Sequence, residues 1–467
     1  MQAAMEHLRF GRAAWIAAAT LLLATLSFSF TARTTGGWLV WSDGLAYFLY
    51  ARSAVVDLDL DLRNDIAHVV DMHPADPKTL EPLLKWTRVS EDGSVHLPWP
   101  VGAGLVLVPF YAAGYLVESA RAAHLDAAPD SYGLIPQYGF AYGSVAFGLI
   151  GVWALIRLTS LLVRPVAAQV ASWAVVLSGP VVFYVLAHPS MAHASSFGLM
   201  ALATLLWLRS WLGGVTHGRL VSLGLLVGIA VTVRYQNALF AILPLALVLK
   251  DLRERGVRRA AGPAIIAAVL AAAAPLMLIG PHLHSTLSPD SSTVTTAGYP
   301  VDLTSPYFFD VLFSCRHGAF HWAPLFGVAT LGLPLLIARK QSAMAITLVL
   351  LLLANVYLIG GLGLSTQAYS GGRTTGDWLT HWDQAPSFGM RYLTECAPIF
   401  AIGLALLLDR ARKRITLASC ALALFALWNA LLMLAYGLQT ITRSGCLSYA
   451  DAVRGALAAL ARLHTIF

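Results

Sequence analysis

L-P-W-P-V-G-A-G-L-V-L-V-P-F-Y-A-A-G-Y-L-V, residues 97–117, decides how this chain is threaded. The stretch is apolar enough to cross a bilayer, yet it carries Pro98, Pro100 and Pro109 with Gly102, Gly104 and Gly114, residue types that interrupt a helix. One extra crossing here reverses the side of every later loop. If the stretch only dips into the outer leaflet or lies on it, the basic clusters at 253–259, 339–340 and 410–414 fall on the side of the N-terminus, with Arg9 and Arg12. The inner side then holds 17 of the 31 Lys and Arg but 4 of the 24 Asp and Glu, a balance of +13 against −6 outside. A full crossing exports the same clusters. Because Lys and Arg accumulate on the cytoplasmic side, the sequence predicts a re-entrant or surface helix at 97–117 and about eleven spans. The overall charge of +7 is thus a topology signal and gives no support to nucleic acid binding.

Composition agrees with that class. With 58% apolar residues, 12% charged residues and a mean hydropathy of +0.68, the chain lies far from soluble domains, whose charged share is about 25%. An all-α polytopic membrane protein is expected, one integral-membrane domain over residues 1–467. Apolar runs long enough to span, about 17 to 25 residues each, lie near 13–32, 137–161, 166–186, 190–212, 262–281, 321–337, 343–362, 393–409 and 415–437. The longer run 220–249 is broken by V-R-Y-Q-N (233–237) and reads as two short helices meeting at a charged corner. The first helix has no small-residue cleavage site and many spans follow it, so it reads as an anchor. Cys315, Cys396 and Cys446 fall outside, where one pair is able to oxidise, and Cys420 lies within a span.

This threading gathers the unusual polar clusters on one face. They are the loop 33–96, which opens W-S-D-G (41–44) and runs into D-L-D-L-D-L-R-N-D (57–65); H-P-S-M-A-H (188–193); the Arg234 corner; the loops 282–320 and 363–392; and an amphipathic tail, 438–467. A transporter is expected to hold polar groups at the midplane, often in repeated halves, and no internal repeat is visible. An enzyme working at the outer surface fits better.

Each candidate has a plainer alternative beside it. Asp43 suits a general base, or merely caps a helix. Asp65, or Asp61, suits a second acid; alternatively the alternating acids are one face of a short strand, with Leu58, Leu60 and Leu62 packed beneath. Arg234 and Arg391 suit a phosphate, since the guanidinium fork faces several oxygens at once, or they snorkel and anchor. Arg316 and His317 come next, with His321 near. His188 and His193 read as phosphate or metal ligands, or as helix-end residues. Asp377, Trp378 and His381 read as sugar or acceptor contacts, while Tyr369, Trp378 and Trp382 equally suit an interfacial aromatic belt. Clustered aspartates with His68 or His73 leave a divalent cation open; no cofactor is assigned.

The order of features resembles GT-C glycosyltransferases, the membrane enzymes that take sugars from polyprenyl-phosphate carriers, a group that includes protein mannosyltransferases and the aminoarabinose transferase of lipid A. The resemblance rests on Asp43 just after the first span, an amphipathic surface helix Y-F-L-Y-A-R-S, a second acidic cluster ending N-D, and P-x-G before an apolar helix (Pro100, Gly102). V-R-Y-Q-N-A-L, L-F-S-C-R-H-G-A-F-H-W-A-P and S-F-G-M-R add to it further along. In D-L-D-L-D-L an apolar residue stands where the resemblance leads one to expect a glycine. It implies a GT-C-like helical bundle in a bacterial inner membrane, its site facing the periplasm or exterior. The implied reaction moves a sugar from a polyprenyl-phosphate donor to an acceptor hydroxyl on a lipid, glycan or protein, with Asp43 as base and the arginines on the departing phosphate. A flippase or transporter of lipid-linked sugar, and a glycan ligase or polymerase, are the alternatives.

Overall fold

A computed structural model of the chain describes residues 2–34, 37–72, 87–89, 93–97, 99–255, 262–278, 295–296, 299–300, 304, 307–362 and 387–462. The described chain is helical, with two short antiparallel ladders pairing 88–89 with 95–96 and 295–296 with 299–300. Among the described residues six helices are long and apolar enough to cross a membrane: Leu134–Thr159, His193–Gly213, Tyr235–Glu254, Ser342–Gly361, Arg391–Arg410 and Ile415–Gly437. Shorter apolar helices occupy Ala17–Arg33, Pro165–Leu177, His217–Val233, Ala268–Met277 and Pro324–Ala338. Contacts group the chain into two compact units.

The first unit comprises Met1–Ile150 and Phe183–Ser195. Its opening helix, Gln2–Thr34, is tied to Leu134–Thr159 where Thr25 Oγ1 and Ser29 Oγ meet the hydroxyls of Tyr142 and Tyr138 at 2.6 and 2.9 Å. The segment Y-F-L-Y-A-R-S is not the amphipathic surface helix expected. Gly44–Arg52 is buried on every side, because the helix Asp43–Arg52 is apolar around its whole circumference down to Tyr50. Phe48 meets Tyr111 and Phe140 edge-on at 5.4 and 5.6 Å. The topological stretch 97–117 is broken as its prolines and glycines require, into a turn of helix at Gly102–Leu105 and a helix Val108–His124. Chain on its two sides meets, since Arg52 Nε donates to Ser131 Oγ at 3.2 Å and the Tyr132 hydroxyl to Asp65 Oδ1 at 3.0 Å.

No strand runs through D-L-D-L-D-L, which corrects that reading. The chain makes a π-helical turn at Ser53–Asp57, then Leu58 takes the left-handed conformation (φ 60°, ψ 30°) with its side chain exposed. This is a conformation glycine adopts without penalty.

The second unit comprises Gly151–Val182 and Ser196–Phe467. The run 220–249 divides as expected: helix His217–Val233 stops at Arg234, whose backbone is extended (φ −152°, ψ 120°), and a 3₁₀ segment Tyr235–Ala241 leads into helix Ile242–Arg255. Gly224 and Gly228 bring the first of these against Gly262–Leu278 so closely that an added Cβ meets Ala268 O at 2.2 Å and Ala272 O at 2.3 Å. Small residues four apart allow such backbone contact in a membrane. The run 166–186 is interrupted: helix Pro165–Leu177 ends before Ser178-Gly179-Pro180. The carbonyls of Leu177 and Gly179 thereby freed accept from the Asn429 amide at 2.9 and 3.0 Å.

One acid joins two basic segments of this unit. Arg164 Nε reaches Asp409 Oδ1 and an Arg339 terminal nitrogen reaches Asp409 Oδ2, both at 2.9 Å. Elsewhere in the unit Cys315 and Cys446 form a disulfide with their Cα atoms 4.9 Å apart, while Cys396 is buried and Cys420 exposed. The C-terminal helix Tyr449–Arg462 buries Ala452, Gly455, Ala456 and Ala459 and exposes Val453, Leu457 and Leu460.

Candidate functional site

In the first unit, W-S-D-G and H-P-S-M-A-H are brought together. Gln137 Oε1 accepts from the amides of Leu39 and Val40 at 2.7 and 3.2 Å and so fixes the approach to the turn. The Trp41 indole then stacks on the His188 imidazole, with centroids 3.7 Å apart and planes 8° from parallel. Gly44 lies so close to Ser190 that a Cβ meets its Oγ at 2.1 Å and its backbone carbon at 2.9 Å. Asp43 is not the cap. Ser42 takes that position, with φ 57° and ψ −141° and no side-chain cap bond, and Asp43 opens the helix, half-buried. Such a backbone region strains any residue but glycine and persists only where packing enforces it, a pattern found at functional sites. His193 begins the helix His193–Gly213, fully buried, its ring 4.3 Å from Tyr184.

The second acidic cluster is a hydrogen-bonded knot. Asp57 pairs with Arg52 and accepts from Asn64 at 3.0 Å. Asp59 Oδ1 accepts from Ser53 Oγ at 2.7 Å. Asp61 Oδ1 accepts the amides of Arg63 and Val95 at 3.1 and 2.8 Å, a role in joining loop to ladder. Asp65 is the buried member. Its Oδ1 receives Arg52 at 3.2 Å and the Tyr132 hydroxyl at 3.0 Å, while Oδ2 is buried with no hydrogen-bond partner among the described residues. Burial pushes the Asp65 carboxyl up to about 7, against the pull of the Arg52 guanidinium. Arg52 also lies 4.5 Å over the Tyr132 ring, and His68 stacks on the same ring at 4.0 Å. Arg52 opposes Asp43 along one helix: nine residues at 1.5 Å of rise separate their Cα atoms by about 14 Å. The two acidic candidates therefore have different surroundings, one at a strained turn and one in an ionic core.

In the second unit, Arg234 and Arg391 converge. Each guanidinium carbon lies 4.9 Å from the centre of the Tyr392 ring. Arg234 is oriented by Glu395, its Nε 2.9 Å from Oε1, and by Gln236 Oε1 at 2.9 Å. Gln236 in turn donates to the Tyr392 carbonyl at 2.9 Å, and Thr394 donates to Glu395 at 3.1 Å. Arg443 lies 5.0 Å over the Tyr436 ring, and Arg391 is also within electrostatic reach of that tyrosine. Tyr436 meets Phe388, Phe388 meets Trp322, and Trp322 stacks near the buried His317 at 5.6, 5.4 and 6.0 Å. The Trp322 indole donates to the Arg316 carbonyl at 2.7 Å. Three arginines thus lie over the tyrosines of this aromatic region, and Arg316 meets it through its backbone carbonyl.

Cations clustered at low dielectric repel one another, so such a row suits an anionic group. Arg52, Tyr132, Tyr392, Glu395 and Arg443 were not singled out from sequence, and only Arg52 and Arg443 carried a signal, as charges at the ends of apolar stretches. Asp377, Trp378 and His381, with His73, lie outside the described residues. Among the described residues no group of three or more His, Cys, Asp or Glu side chains is arranged to hold a metal ion.

No protein-family model, curated protein or solved structure matches this chain. Its functional reading is built on these residues.

Proposed function

We propose that the chain is a GT-C-like membrane glycosyltransferase of about eleven spans, transferring one sugar from a polyprenyl-phosphate donor to an acceptor hydroxyl on the outer face. The observation that carries the reading is the meeting of Arg234 and Arg391 on Tyr392, with Arg443 and Arg316 along the same aromatic row. Guanidinium groups are suited to a phosphate that gains charge as it leaves. Asp43, at its strained turn, takes the acceptor proton. The acceptor oxygen bonds to the anomeric carbon, the bond from that carbon to phosphate oxygen breaks, and the phosphate leaves with the electron pair, inverting the sugar carbon. Asp65 keeps the second acidic position, orienting the loop through Arg52. Apolar surface for the isoprenoid is supplied by the groove of 340 Å³ lined by Leu312, Phe320, Leu333, Ile337, Val349 and Val356.

The threading has its own support. Arg339, expected inside, shares Asp409 with Arg164, and two of the cysteines expected outside are joined, as an oxidising exterior favours. The return of the chain to Arg52 and Asp65 at Ser131 and Tyr132 fits a stretch 97–117 that does not cross.

Purified protein given a polyprenyl-phosphate sugar should release the lipid phosphate and form a glycosylated acceptor. Asp43→Asn should cut turnover by about a thousandfold or more with expression unchanged, and Arg234→Ala should lose donor affinity and rate together. Full turnover in Asp43→Asn would remove the mechanism. Vectorial movement of donor without product would instead identify a flippase.

A further inference from the structure

We propose that Arg443 is an anion-binding residue of the arginine row and that the Cys315–Cys446 disulfide holds it there; the inference rests on the phosphate reading above and names a ligand residue and its positioning device. The tail carrying Arg443 is fastened at several points within a few residues. Beyond the disulfide, the Leu447 amide donates to the Cys315 carbonyl at 3.1 Å, His321 Nε2 meets the Leu447 carbonyl at 2.7 Å, and the Tyr449 hydroxyl donates to the His321 carbonyl at 3.3 Å. The Ser387 amide donates to the carbonyl of Arg443 itself at 3.4 Å. The disulfide and the ties of Leu447 and Tyr449 converge on the segment 315–321, which also contains Arg316 and His317, so the fastening joins the tail carrying Arg443 to the far end of the same row.

Among the described residues the guanidinium so placed meets no acidic partner. Arg443 touches the Tyr436 ring and donates to the Tyr436 carbonyl at 3.4 Å, and among the described residues no carboxylate pairs with it. Its Nε is buried without a hydrogen-bond partner there. Arg234, by contrast, is already paired with Glu395. A half-buried cation on a tyrosine that Arg391 also reaches is costly unless an anion supplies the missing oxygens, and the ligand chemistry that fits is the phosphate monoester of the lipid carrier. The disulfide contributes by removing the freedom of the tail, so that the guanidinium is presented before the ligand arrives.

The test uses the full-length protein in lipid nanodiscs, with a short-chain polyprenyl phosphate as probe, calorimetric affinity as readout, and thermal unfolding run alongside. Arg443→Gln should weaken binding about tenfold to a hundredfold, Arg443→Lys should recover part of the loss, and donor KM should rise more than kcat falls. Cys315→Ser/Cys446→Ser should weaken binding to a similar extent, and adding Arg443→Gln to that pair should cost little more, because both changes remove the same contact. Wild-type affinity in Arg443→Gln, or full additivity in the triple variant, overturns the inference. Arg234→Ala tells the two failures apart: if it too binds at wild-type affinity, the phosphate reading falls; if it loses binding while Arg443→Gln does not, only the role of Arg443 falls.

Discussion

Asp65 is where single-residue chemistry is most exposed to measurement. Its carboxyl is ordinary in the unfolded chain, at 3.8, and about 7 in the folded one. The folded state therefore holds the proton more tightly, so the group's contribution to stability is complete below pH 3.8 and is lost as pH rises towards 7. The slope through that window is about 1.4 kcal/mol per pH unit. Wild-type protein should melt at lower temperature at pH 7 than at pH 5, and Asp65→Asn should lose most of that difference; an equal pH dependence in the variant rules the assignment out. In sequence this residue was legible only as a second-acid candidate beside Asp61, one of four acids in the run 57–65. What selects it is burial against Arg52 and Tyr132, and Tyr132 comes from a segment 67 residues away. The same holds for Asp43: its place after the first span was readable, but the strain at Ser42 and the packing of Gly44 on Ser190 belong to backbone geometry.

Helices were more legible than residues, because apolar runs and their breakers act locally. The runs near 137–161, 343–362 and 415–437 match the helices Leu134–Thr159, Ser342–Leu362 and Ile415–Gly437, and the corner at Arg234 ends a helix as read. Two expectations failed for tertiary reasons. The run 166–186 holds an interruption whose carbonyls are met by a distant amide, and the Asp43–Arg52 helix is wrapped by neighbours that its own sequence does not announce. Packing between helices offers a paired test. Gly228→Val forces its side chain onto Ala272, where even a Cβ lies 2.3 Å from the carbonyl oxygen, and should cost about 2 kcal/mol or more. Gly218→Ala, with nothing within 4 Å, should stabilise by about 0.5 kcal/mol. Detergent melting temperatures of the two variants decide the matter, and equal behaviour would remove the close-contact explanation.

At the scale of the whole molecule, charge carries the information that hydropathy lacks. The division of +13 and −6 between faces predicts that a reporter inserted within 66–96 is exported; a cytosolic signal there would scatter the acids and arginines and end the proposed chemistry. What the sequence offers towards the proposed function is a set of acids and arginines in polar breaks of an apolar chain. Arg443 was hidden because its significance depends on a bond between cysteines 131 positions apart. Asn429 has a further consequence, one of timing. During synthesis the ribosome delivers Leu177 and Gly179 to the bilayer some 250 residues before the amide that satisfies their carbonyls, and a bare carbonyl in hydrocarbon costs several kcal/mol. The nascent chain must shelter that gap until the span carrying Asn429 arrives. Truncations ending short of residue 429 should be cleared rapidly by membrane proteases in a pulse-chase experiment, whereas a stop after residue 448 should leave a long-lived product.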